Sequence, residues 1–295
     1  MTIQKIESLE WHHSTDSELG MLALAASSVF IEGEGDIILP PEEWIKPRVP
    51  EKDEVFPPET ARAYVEACGV ESNADDPIEA EEIEFLLQSI GRAEPFKDTR
   101  ILECGTGPGM LARLLMEQGG LVTATDVSPT MIQLAREKHA EAVASGKLQF
   151  EFAEARKLPF ADDTFDLVVA KHLLHQLPTE AAWKFLQEVV RVLQKDGVAV
   201  IGDYNRASSR EDRDARLQFT LPEMQPLLEE SFDASFTPNE LILLLEQIPG
   251  IEFAVVLAED PARLSVKLRE RIANDPVKGH STDWRTRLRV LIHKI

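Results

Sequence analysis

The run Arg100-Ile101-Leu102-Glu103-Cys104-Gly105-Thr106-Gly107-Pro108-Gly109-Met110 constrains the fold of this chain more than any other stretch. A short apolar segment ends in an acid, passes through glycines at alternate positions, and enters Leu111-Ala112-Arg113-Leu114-Leu115. Apolar residues at 110, 111, 114 and 115 fall at helical spacing, and Gly119-Gly120 stops the helix. The pattern is strand, tight turn, helix. Alternate glycines permit positive φ and leave no Cβ between the backbone and a ligand. A ligand held there rests at a helix N-terminus, beyond the carboxyl end of a strand.

From Asp98 onward strand and helix alternate, which calls for a parallel sheet with helices on both faces. Leu121–Thr125 is expected as the second strand, closed by Asp126, with Ser128 capping the next helix and Pro129 in its first turn. Gly146 should end that helix. Leu148–Phe152 alternates apolar and polar residues, as a strand near a sheet edge does. Phe165–Ala170 and Val198–Ile201 are continuous apolar runs and should be central. A helix from Thr179 to Leu193 lies between them. Thr237-Pro238-Asn239-Glu240 is a capping box opening another helix, followed by strands at Ile251–Leu257 and Arg289–His293. A further helix starts at Asp260-Pro261 and runs through Leu264, Leu268 and Ile272.

The first part of the chain carries weaker signals. Ser17–Phe30 is expected to be helical, and Asp36–Leu39 a short strand. Pro40, Pro41, Pro47, Pro50, Pro57 and Pro58, interleaved with charge, then describe an extended surface segment. Thr60 opens a helix that Gly69 closes, and a second helix runs from about Ile78 to Ile90. The expected organisation is an N-terminal cap over residues 1–95 and a core over 96–295.

Composition narrows the functional classes. A formal charge of −21 opposes binding to nucleic acid phosphates or an anionic membrane. The first apolar stretch, Met21–Ile31, is too short to span a bilayer, and the chain starts without a basic leader. Two cysteines, Cys68 and Cys104, make no disulfide framework, so a reducing cytoplasm is the expected setting. The oligomeric state is left open, a homodimer included.

The glycine spacing selects among ligands. A dinucleotide fingerprint needs glycine at position 110, where the chain has Met110, and no lysine follows to make a phosphate-binding loop of the Walker type. What remains, Glu103-x-Gly105-x-Gly107-x-Gly109, resembles the first motif of the class I S-adenosylmethionine-dependent methyltransferases. Asp126-Val127-Ser128-Pro129-Thr130-Met131 continues the resemblance, as does Phe152-Ala153-Glu154-Ala155-Arg156-Lys157-Leu158-Pro159-Phe160. So does Asp166–Pro178, whose Leu174-His175-Gln176-Leu177-Pro178 is similar to the Leu-His-His-Leu-Pro turn of small-molecule members.

That resemblance implies an α/β, doubly wound, mostly parallel seven-stranded sheet with an antiparallel last strand. Insertions would fall at about 205–236 and 259–288. It implies S-adenosyl-L-methionine as cofactor, S-adenosyl-L-homocysteine as product, and a small or medium-sized metabolite as methyl acceptor. Glu103, Gly105, Thr106, Gly107 and Gly109 would form the turn under the cofactor, and Asp126 would accept bonds from both ribose hydroxyls. Val127 and Met131 would flank the adenine, with Glu154 and Ala155 at its edge and Lys171 under the methionine portion. His175, His172 and Asp203, in that order, are the candidates for a general base. No third ligand is spaced to join His172 and His175 on a metal, and His12-His13 has no partner either. Two alternatives stay open on the residues alone: a methyltransferase-like fold that catalyses another reaction, and a nicotinamide-dependent oxidoreductase.

Overall fold

A computed structural model describes residues 12–13, 48–49, 62, 75–89, 91–217, 225–257 and 287–295. Its framework is one sheet. The strands are β1 (His12–His13), β2 (Arg100–Cys104), β3 (Leu121–Asp126), β4 (Leu148–Phe152), β5 (Phe165–Lys171), β6 (Leu193–Tyr204), β7 (Ile251–Leu257) and β8 (Arg287–Lys294). They lie side by side in the order β1-β7-β8-β6-β5-β2-β3-β4. Neighbours from β4 across to β6 pair in parallel, and β8 runs antiparallel to both β6 and β7. This is the expected doubly wound sheet with an antiparallel last strand. β4 sits at one edge, as its alternation requires, and β5 and β6 are central. β1 is an addition. His12 and His13 pair antiparallel with Phe253 and Glu252, covering the outer edge of β7 and making an eighth strand.

The described helices are α1 (Asp75–Ser89), α2 (Met110–Glu117), α3 (Pro129–Lys138), α4 (Ala140–Ala144), α5 (Thr179–Val192), α6 (Arg210–Leu217), α7 (Gln225–Ala234) and α8 (Pro238–Leu245). Because strand side chains alternate, consecutive residues go to opposite faces. Ile101, Val122, Ala124, Leu167, Val169, Val198 and Val200 meet α1, α2 and α3 on one face. Leu102, Cys104, Val168, Ala170, Ala199 and Ile201 meet α5 and α8 on the other. α1 falls on the N-terminal side of the boundary expected at residue 95, yet Ala80, Ile83, Leu86 and Leu87 are buried in the same cluster as Ile101 and Val200.

Four local differences separate the structure from these expectations. The helix expected from Pro129 to Gly146 breaks at His139, whose φ of −112° and ψ of 31° separate α3 from α4. β6 begins at Leu193, directly after α5, because Leu193 pairs with Phe165 before the register shifts to Leu167 opposite Val198. The charged segment after Ser208, to which no element was assigned, holds α6 and α7. The helix expected from Ile78 starts three residues earlier, at Asp75. The elements expected at Ser17–Phe30, Asp36–Leu39 and 260–272 lie outside the described residues, and of the helix opened by Thr60 only Arg62, which is helical, lies within them.

Candidate active site

The glycine turn leaves β2 at its carboxyl end and enters α2. Gly105, Gly107 and Gly109 have φ of 74°, 50° and 81°, all in the left-handed region. Gly105 and Thr106 donate their N–H groups to the carbonyl of Thr125 at 2.8 and 2.9 Å, which ties the turn to β3. Glu103 is buried, and its carboxylate accepts the Thr106 hydroxyl at 2.7 Å. The glycines differ in what surrounds them. A Cβ on Gly109 would lie 2.6 Å from the Phe150 ring, and one on Gly105 would lie 3.3 Å from Leu173. A Cβ on Gly107 would meet nothing within 4 Å. The middle of the turn is open; its two ends are packed.

Asp126 closes β3 beside that opening. One carboxylate oxygen accepts the Gly107 N–H at 2.9 Å and the other accepts the Ser128 N–H at 2.8 Å. Burial pushes the Asp126 carboxyl above its ordinary value, against the pull of the Ser128, Gly107 and Val127 N–H groups. Ser128 caps α3 by accepting the Met131 N–H at 3.3 Å, and Met131 is buried. Val127 is 42% exposed, an apolar side chain left uncovered next to the carboxylate. Glu154 lies on the following loop with its carboxylate in an ion pair with Arg156, and Ala155 packs against the core. Cys104, fully buried before the turn, has its thiol pushed up to about 12 by burial, so it stays protonated.

The second half of the site forms where β5 and β6 end. Lys171 is the last residue of β5 and pairs with Gly202. His172 follows with a φ of 53°, donates its N–H to the Gly202 carbonyl at 2.8 Å, and stacks its ring on Tyr204 at 4.3 Å between centroids. A 3-10 turn, Leu174–Gln176, then carries His175. Asp203 accepts the His175 N–H at 3.0 Å, its ring Nδ1 at 2.6 Å, and the Tyr204 N–H at 2.7 Å. His175 and Asp203 are each 3% exposed. An ionised carboxylate only accepts, so Asp203 favours the His175 tautomer with its proton on Nδ1. Of the three candidate bases, the structure joins His175 and Asp203 and turns His172 onto Tyr204.

Comparison with known proteins shows what this sheet and turn are similar to. Residues 102–201 match the family model described as a methyltransferase domain. Over these residues the chain is similar to methyltransferase domains. Relatives include 27-O-demethylrifamycin SV methyltransferase of Amycolatopsis mediterranei, 31% identical over 106 residues, which are 36% of this chain and 38% of that protein. A 2-methyl-6-phytyl-1,4-hydroquinone methyltransferase of Synechocystis is 31% identical over 144 residues, 48% of this chain and 43% of its own. The chain thus spans less than half the length of these relatives. Among solved structures, the plantazolicin methyltransferase BpumL with a pentazolic analog and SAH superposes with a TM-score of 0.61 at 15% identity, covering 80% of this chain and 91% of that one. The PH0226 protein of Pyrococcus horikoshii gives 0.55 at 18% identity, covering 82% and 100%. At such identities these two bear on the fold alone.

Three residues at the candidate site carry no assigned role in the sequence. His139 places Nε2 3.0 Å from the Pro108 carbonyl and stacks on Phe150, so it braces the glycine turn from below. Tyr204 stacks on His172 and meets Phe232 edge-on at 5.3 Å. Arg48, far upstream, reaches the carbonyls of the His175 turn. His139 and Arg48 act through partners distant in sequence, which local pattern does not reveal. The one signal for Arg48 was a basic residue set between Pro47 and Pro50. Among the described residues no helix is long and apolar enough to cross a membrane.

Proposed function

We propose that this chain transfers a methyl group from S-adenosylmethionine to a small or medium-sized metabolite, with His175 as general base. The observation that carries the cofactor assignment is the open space over Gly107, with the Asp126 carboxylate and the uncovered Val127 beside it. The donor set fits a neutral ribose and a purine, because it offers a carboxylate for hydroxyls and no lysine in the glycine turn for a phosphate. Gly105, Thr106, Gly107 and Gly109 would hold the amino-acid end, with Glu103 fixing the turn through Thr106. Asp126 would take the ribose hydroxyls, Val127 and Met131 the adenine faces, and Ala155 its edge. Glu154 would reach the adenine amino group by exchanging Arg156 for it. Lys171 would lie under the methionine portion.

The bound cofactor supplies an electrophilic methyl on a sulfonium, and its transfer is an in-line displacement. The protein then has two tasks. One is alignment in a site sealed from water, worth roughly 7–11 kcal/mol in favourable cases. The other is removal of the acceptor proton, which falls to Nε2 of His175. Asp203 holds the ring in the required tautomer and would stabilise the imidazolium that forms. His172 and Tyr204 would form an aromatic wall beside it. A cytoplasmic setting and an acceptor that is neither nucleic acid nor lipid surface agree with the charge of −21.

Thermal shift with S-adenosylhomocysteine against NAD tests the cofactor, since a ligand that binds the folded state raises the transition. A rise with NAD alone overturns the assignment. Incubation with methyl-labelled S-adenosylmethionine and a panel of phenols, hydroquinones and small amines tests the transfer. The named relatives include a hydroquinone methyltransferase, which sets where the panel begins. Cofactor bound but never consumed would favour a different reaction on this fold. His175→Ala should lower turnover by about 10²–10⁴-fold at unchanged S-adenosylhomocysteine affinity.

A further inference from the structure

Arg48 holds the turn that carries His175. Its Nη2 donates to the carbonyls of Leu174 at 3.2 Å, His175 at 3.1 Å and Leu177 at 2.5 Å. Nη1 lies 3.5 Å from the Thr179 hydroxyl, and Nε donates to the Ala234 carbonyl at 2.6 Å. The guanidinium carbon stands 3.7 Å over the Phe236 ring. The next residue, Val49, donates its N–H to the Asp233 carbonyl at 3.3 Å. The Leu174 carbonyl also accepts the Leu177 N–H at 3.1 Å, and the three carbonyls of the turn converge on one nitrogen of a cation.

His175 is therefore gripped at both peptide ends and at the ring. Asp203 takes its N–H and Nδ1, and Arg48 takes its C=O. With those points held, the direction of Nε2 is set. We infer that Arg48 is a positioning residue for His175, delivered by the N-terminal segment, and that it locks the base to the end of α7 through Ala234 and Phe236. This rests on the assignment of His175 as the base. The role calls for arginine. Its planar fork reaches the turn carbonyls and Ala234 at once while its face lies on Phe236, a combination a point-like ammonium does not match.

The test compares Arg48→Ala and Arg48→Lys with the wild-type chain by three readouts. These are the proton resonance of the His175 Nδ1–H, identified by its loss in Asp203→Asn; the dissociation constant for S-adenosylhomocysteine; and turnover with the best acceptor of the panel above. Arg48→Ala is expected to broaden or shift the resonance and to cut turnover by about 10²-fold, the scale of a small misplacement. Affinity for S-adenosylhomocysteine should stay within about two-fold, a small fraction of a tenfold step. Free guanidinium at sub-denaturing concentration should restore the resonance, and Arg48→Lys should restore it only in part. An unchanged resonance in Arg48→Ala overturns the inference, as does a loss of S-adenosylhomocysteine affinity in step with turnover. If Arg48→Ala does not fold, a wild-type resonance in Arg48→Lys overturns it equally. A wild-type chain that consumes no S-adenosylmethionine defeats the proposed function instead, and the resonance still reports whether Arg48 positions His175.

Discussion

Gly107 and Gly109 stand two residues apart and answer different demands. Both have positive φ, so alanine at either costs about 1–2 kcal/mol of backbone strain. At Gly109 the new methyl also strikes Phe150, which adds about 1–3 kcal/mol of overpacking. At Gly107 it enters open space. Gly109→Ala should thus lower the urea midpoint more than Gly107→Ala, whereas Gly107→Ala, and still more Gly107→Val, should weaken S-adenosylhomocysteine binding beyond what the strain accounts for. Equal losses in both assays would contradict the open-turn reading. Asp126→Ala should weaken the same ligand by about 1–3 kcal/mol, the scale of a lost buried acceptor. Because the Asp126 pKa is raised from 3.8, the folded chain keeps this proton to higher pH than the unfolded chain does. Stability from this group then falls as pH rises from 3.8 to the raised value. Ligand affinity should rise over that window if, as proposed, the charged carboxylate accepts from the two ribose hydroxyls. Calorimetric titration in acid checks the sign, and Asp126→Asn should flatten it.

Among the elements, helix starts were the most legible. At α8 the Thr237 hydroxyl accepts the Glu240 N–H at 3.4 Å, and the Glu240 carboxylate accepts the Thr237 N–H at 2.8 Å. Both groups are local, so four consecutive residues disclose the cap. Thr237→Ala should cost about 0.5–2 kcal/mol, read from the urea midpoint, with cofactor affinity unaltered. The α3–α4 break was not legible for the opposite reason. His139 leaves the helix to reach Pro108 and Phe150, and neither partner lies within a helical turn of it. The same distinction separates α6 and α7 from the rest. α6 buries Arg216, which donates to the Asn205 carbonyl at 2.6 Å and carries no apolar period, and α7 buries Phe232 and Ala234 near its end.

At the scale of the molecule, the least expected feature is ionic. Arg289 on β8 is fully buried and donates to Glu79 at 2.7 Å and Glu82 at 2.6 Å, both on α1. Burial works against its charge, but the two carboxylates outweigh that and hold its pKa above the ordinary value. Gly202, beside it on β6, has no room for a Cβ: the Glu79 carboxylate would lie 2.7 Å away and the Arg289 guanidinium 2.8 Å away. The cluster therefore fastens α1 to the sheet one residue before Asp203. Arg289→Met should cost about 3–5 kcal/mol because it leaves buried carboxylates uncompensated. Replacing Arg289, Glu79 and Glu82 together by apolar residues should recover most of that loss. Equilibrium unfolding of the two variants decides the matter. A triple variant no more stable than the single one would show that the charges themselves hold α1.

Local order in the chain was enough to determine the strand–turn–helix at 100–117, the acid closing β3, and the central and edge strands, while the cofactor class rested on the resemblance that the glycine motif carries. These follow from neighbours within a few residues, where periodicity and φ preference operate. Only the tertiary structure decided that His175 meets Asp203, that α1 joins the core, and that Arg48 grips the turn from more than a hundred residues away. Each is a contact between polar groups far apart in the chain, and burial, which makes such pairing obligatory, exists only once the sheet has closed over them.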